Sequence, residues 1–98
     1  MWRHFFRQLL GLPVGGPYSH VKARLYDHNV VQVAKGGRWT LVRVTTETVG
    51  RSRVSSVWFN DSMTEWNDGS PVSEDDRREL LSAVSYWLKT QGNQTQVR

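Results

Sequence analysis

Two periodicities divide the chain. Between Val21 and Phe59 apolar residues alternate with polar ones, and between Leu80 and Leu88 they recur at helical spacing. The alternating part reads as four strands. In the first, Val21 to Tyr26, Val21, Ala23 and Leu25 share one face and Lys22, Arg24 and Tyr26 the other. Asp27-His28-Asn29 is turn chemistry. The second strand is Val30 to Ala34, with Val31 and Val33 on one side. Gly36-Gly37 then supplies the two positive-φ positions that a tight type I′ hairpin needs. The third strand, Arg38 to Glu47, sets Trp39 and Leu41 against Thr40, Val42 and Val44. Val49 to Ser52 turns the chain into the fourth, Arg53 to Phe59. The connections are short, so neighbours pair antiparallel.

The helical part starts at Ser73. Its hydroxyl is placed to accept the N–H of Asp76 as an N-cap, worth about 1 kcal/mol. Glu74, Asp75 and Asp76 occupy the first turn, where carboxylates meet the positive end of the helix dipole. Leu80, Leu81, Val84, Trp87 and Leu88 form one apolar stripe, and Gly92 is the stop signal. A sheet with one apolar face must bury it, so this helix is expected to cover it. Leu81, Val84 and Leu88 should meet Val31, Val33 or Leu41.

The expectation is an α+β fold: a four-stranded antiparallel meander followed by a C-terminal helix on one face, ββββα, with a short helix added at the N-terminus. Trp2, Phe5, Phe6, Leu9 and Leu10 give residues 2–10 an amphipathic pattern, ended by Gly11 and Pro13. Gly15, Gly16 and Pro17 read as a linker, so residues 1–19 divide from a single domain over 20–98. Gln94 to Arg98 reads either as a short edge strand or as a frayed end.

Composition changes the picture in one respect. The formal charge of +4 is unevenly spread. Residues 1–53 carry nine Lys/Arg against two Asp/Glu, whereas residues 54–98 carry four against seven. A basic half suits a polyanion and an acidic half suits a basic protein. There is no cysteine, hence no disulfide framework or thiolate metal site. No apolar run approaches the roughly 20 residues of a membrane span. Arg7 and Gln8 interrupt the N-terminal apolar run and no small-residue cleavage site follows, which argues against a signal peptide and for the cytoplasm.

Catalytic chemistry is hard to assemble. His4, His20 and His28 lack metal-ligand spacing with one another. The consecutive acids 74–76 are explained by the helix terminus they occupy. No nucleophile–base–acid set is evident, so neither an enzyme nor a cofactor or metal is expected.

The segment from Val57 to Leu88 carries a resemblance. It runs as a hydrophobic strand, then Asn60-Asp61-Ser62-Met63 with Trp66, a polar stretch with Pro71, Ser-Glu-Asp-Asp-Arg-Arg-Glu-Leu-Leu from Ser73, and Tyr86-Trp87-Leu88. This order resembles a family of small bacterial immunity proteins from polymorphic-toxin and contact-dependent growth inhibition systems. The resemblance implies a protein that binds and neutralises a cognate toxin C-terminal domain. Where the toxin is a nuclease, the inhibitor surface is expected to be acidic. Asp61, Glu65, Asp68, Glu74, Asp75 and Asp76 are the candidates, with Trp66 as an apolar anchor among them. No small-molecule substrate or membrane is implied.

A second reading stays open. A four-stranded sheet followed by a helix is also the unit of the Whirly domains, which implies single-stranded nucleic-acid binding. Lys22, Arg24, Arg38 and Arg43 would supply charge, and Trp39 and Trp58 stacking surfaces.

Overall fold

The computed structural model describes residues 11–98. Six strands form one mixed sheet that curls into a half-barrel, and one helix fills it. The strands are β1 (Leu12–Gly15), β2 (Tyr18–Asp27), β3 (Val30–Lys35), β4 (Arg38–Val49), β5 (Ser52–Trp58) and β6 (Gln94–Val97). The helix α1 (Glu74–Thr90) lies between β5 and β6. Strand order in space follows the chain. The N-terminal helix read over residues 2–10 lies outside the described residues.

The four-stranded ββββα expectation is therefore corrected to six strands, and the Whirly-like unit goes with it. Both added strands carry weak signals. β1 spans residues read as the stop of the N-terminal helix, Pro13, and the start of a linker, Gly15. Its Pro13 cannot donate to a ladder, which an edge strand tolerates. Gly16, at φ 54°, and Pro17 form the turn between the paired Gly15 and Tyr18. A Cβ on Gly16 would stand 2.5 Å from Tyr86 Oη, so the turn also lets α1 approach closely. β6 has one apolar residue in four, yet pairs parallel to β5 from Val54↔Gln94 to Val57↔Val97. A parallel neighbour requires a crossover, and residues 59–73 with α1 supply it.

The central hairpins follow the sequence pattern. Lys35 pairs with Arg38 across Gly36 and Gly37, at φ 61° and 81°. The inner face buries Val21, Ala23, Val31, Val33, Val42, Val44 and Val57 against Leu80, Ala83, Val84 and Leu88 of α1. The helix thus packs on the Val42–Val44 side of β4. Leu41 faces the other way, and Leu81 is only half-buried at the helix flank; both depart from the expected contact set.

The helix ends behave as their chemistry dictates. Ser73 Oγ accepts the N–H of Asp76 at 3.2 Å. At the other end Gly92, at φ 86°, donates to Lys89 O at 3.0 Å, and Asn93 donates to Leu88 O at 3.1 Å. That pair of bonds is a Schellman motif.

Candidate protein-binding surface

Residues 59–73 lack a named strand or helix. A connection this long without regular structure is usually functional or disordered. Here it is pinned. β5 pairs with β4 only over Arg43–Val49, which leaves the earlier edge of β4 open. The connection fills it. Met63 N–H donates to Leu41 O at 3.1 Å and Asn67 N–H to Trp39 O at 2.8 Å. Asn67 Oδ1 and Ser62 Oγ accept the N–H groups of Trp39 and Arg43 at 2.9 and 3.0 Å. Thr40 Oγ1 donates to Glu65 O at 2.7 Å. Met63 holds φ 56°, a conformation costing a non-glycine residue about 1–3 kcal/mol, and sinks its side chain into the core.

Two arginines clamp the same connection. Arg77 of α1 donates from Nη2 to Phe59 O at 2.6 Å and Ser62 O at 3.2 Å, and its guanidinium lies 4.2 Å from the centre of the Phe59 ring. Arg38 sits 4.5 Å above the Trp66 ring. Asp68 accepts the Ser70 N–H at 2.9 Å, closing the turn that Trp66 and Ser70 bracket. Hydrogen bonds from Ser70 hold the Asp68 carboxyl below its ordinary range.

The expected partner-binding residues divide into three groups. Trp66 is 3% exposed and belongs to the core, so its reading as a surface anchor is corrected. Its indole instead fastens the connection from within. Asp68, Glu74 and Asp76 are engaged within the chain: Asp68 in its turn, Glu74 with Arg77 at 2.8 Å, Asp76 with Lys35 at 2.8 Å. Asp61, Glu65 and Asp75 are exposed and have no cation partner among the described residues. Asp61 and Glu65 flank a crevice of about 280 Å³ whose other walls include Trp39, Leu41 and Thr64.

Sequence reasoning missed the residues that hold this arrangement, Lys35, Ser62 and Arg77. Lys35 also contacts Glu79, which His20 approaches at 3.3 Å. No group of three or more His, Asp or Glu suited to a metal ion occurs among the described residues.

The basic and aromatic candidates gather on the outer face of the sheet, where Trp39 also borders the crevice. Register places Lys22 in one row with Ala34 and Trp39, Arg24 with Gln32 and Leu41, and Arg43 with Val30 and Trp58. Arg38 is the exception, drawn away to Trp66. Arg98 joins this face through β6, with its guanidinium 5.3 Å from the centre of the Trp58 ring.

No protein family, no curated protein and no solved structure matches the chain. No helix among the described residues is long and apolar enough to cross a membrane.

Proposed function

We propose that this chain is an immunity protein, which binds and neutralises a cognate bacterial toxin domain in the cytoplasm. The contact surface is the acidic face of residues 60–70 with the first turn of α1. One observation carries the reading. The connection that bears Asp61 and Glu65 is hydrogen-bonded along the β4 edge, yet these two carboxylates have no cation partner among the described residues. A surface that is already ordered loses little conformational freedom on binding. Unpaired carboxylates beside the indole of Trp39 fit a lysine or arginine side chain entering the crevice. Clefts that bind nucleic acid are rich in such side chains, so a nuclease toxin is the partner this surface suits best. Inhibition of this kind requires no bond chemistry, cofactor or small-molecule substrate from the chain.

The test is to look for a toxin domain encoded directly upstream and to co-express the chain with it. The chain should co-purify with that domain and rescue growth of cells expressing it. A chain that neither co-purifies nor rescues removes the proposal.

A further inference from the structure

We propose that the outer face of the sheet is a separate binding site for single-stranded nucleic acid, centred on Trp58 and the guanidinium groups of Arg43 and Arg98. The centre of this site shares no residue with the acidic surface, which it meets only at Trp39, a wall of the acidic crevice, and it does not depend on the toxin-neutralising reading.

Trp58 is half-buried on β5, and its ring is oriented by the Nε1–H, which donates to Thr45 Oγ1 at 3.0 Å. The guanidinium of Arg43 lies 4.6 Å from the ring centre and that of Arg98 5.3 Å. Ser56 Oγ accepts from Arg98 Nε at 3.2 Å and from Gln96 Nε2 at 2.8 Å, which anchors β6's contribution. Two cations are thus gathered about one indole. Neither has a carboxylate partner among the described residues, although Lys35 and Arg77 of the same chain are paired with acids. Like charges held together are mutually repulsive, and an anion between them relieves the repulsion. Guanidinium groups stacked on a ring keep their N–H edges free for a phosphate.

A second aromatic centre lies on the same face. Tyr26 and Trp39 stack with ring centres 6.3 Å apart and planes inclined by 29°. Trp39 precedes Arg43 by four positions on β4, a separation of about 14 Å at the rise of an extended strand. Lys22 lies in the Trp39 row, across Ala34. Cations that follow a backbone, interleaved with aromatic rings, are the arrangement that binds unpaired bases. A duplex offers its phosphates but keeps its bases stacked away from such rings. When the strand binds, a base exchanges with one guanidinium on Trp58, and that guanidinium moves to the flanking phosphate.

The experiment is fluorescence anisotropy of a labelled oligothymidylate with the full chain, read between about 50 and 200 mM salt. Binding is expected at the low end and should weaken linearly in log–log form. Arg43→Gln with Arg98→Gln should lower affinity at least tenfold and reduce the salt slope by about 1.4, the single-strand value for two charges. Trp58→Leu should lower affinity with the slope unchanged, since it removes stacking and no charge. Circular dichroism confirms that each variant is folded, and Arg51→Gln, at the tip of the β4–β5 hairpin, serves as a charge control that should bind as wild type. Four results overturn the proposal: no binding at low salt, equal affinity for a duplex of the same length, equal affinity for polyglutamate, or folded Arg43/Arg98 and Trp58 variants that bind as the unmodified chain does.

Discussion

Lys35 Nζ lies 2.8 Å from Asp76 Oδ1, and this contact ties the last residue of β3 to the first turn of α1. Lys35 reaches Glu79 as well, so one cation serves two acids on successive turns. Asp76 is at once the backbone donor to the Ser73 cap and the acceptor of this ion pair. The contact therefore sets where the acidic end of the helix stands against the sheet.

The pH dependence of stability follows. The Lys35 hydrogen bonds hold the Asp76 and Glu79 carboxyls below their ordinary values of 3.8 and 4.5. Groups depressed in the folded state add stability above their unfolded pKa and lose it as pH falls through the folded one. Lys35 is raised above 10.5, chiefly by its bond to Asp76; its contribution is full below that value and is lost as pH rises through the folded pKa. The melting temperature should be insensitive to this cluster between about pH 5 and 10 and fall on either side. Lys35→Met should flatten the acid limb. The side chains are a quarter to a third exposed, so the loss at neutral pH should stay within about 1 kcal/mol. Thermal melts by circular dichroism across pH measure both effects; an acid limb unchanged in the variant would remove Lys35 from the explanation.

Trp66 should behave as a core residue. Trp66→Ala should cost about 3–5 kcal/mol in urea unfolding, the range for a buried tryptophan. A domain of this size has about 5–15 kcal/mol to lose, so the variant should sit near the edge of folding. A loss under about 1 kcal/mol would mean that the indole is not packed as described.

The helix caps offer a local check. Ser73→Ala should cost about 1 kcal/mol, because the Asp76 N–H loses its acceptor at 3.2 Å. Gly92→Ala should cost a similar amount, since φ 86° is strained for a residue with a Cβ. The sites lie at opposite ends of α1, so their effects should add in the double variant. Chemical denaturation of the four proteins checks both the size and the sum.

These caps were legible because each rests on neighbours within a few positions. The same holds for the Gly36-Gly37 hairpin and for the alternation that buries Val31, Val33, Val42 and Val44. What the sequence could not show is set at long range. β6 is polar, and only the crossover through α1 brings it beside β5. Pro13 and Gly15 read as breakers, and become a strand only because β2 offers them an edge. Trp66 has polar neighbours on both sides, which suggested exposure. Its burial follows from Asn67 and Met63 bonding to β4, contacts spanning more than twenty residues. The acidic surface was legible as a cluster of charge, but not the division between acids already engaged and acids left free.

That division decides how the proposed interface should be tested. Asp68 closes its own turn, so Asp68→Lys disturbs the connection and reports poorly on binding. Asp61 and Glu65 have no such duty among the described residues, and Asp75 has only its place in the first turn of α1, where the helix dipole favours a carboxylate by about 0.3–1 kcal/mol. Reversing all three to lysine should leave the fold intact, because no internal ion pair is broken. Against the co-purifying toxin domain, the variant should associate more slowly and show a weaker dependence on salt, as expected when steering charge is reversed. Asp61 and Glu65 flank the crevice, whereas Asp75 stands on the helix. If a partner cation enters the crevice, Asp61→Ala with Glu65→Ala leaves it buried and unpaired, a loss of about 2–5 kcal/mol seen mainly in dissociation. Asp75→Ala should act as a rim change, with less than about 1 kcal/mol lost. Surface plasmon resonance separates the two rates. Equal, small effects at all three positions would place the toxin on another face of the molecule, and the acids would then be solvating charge alone.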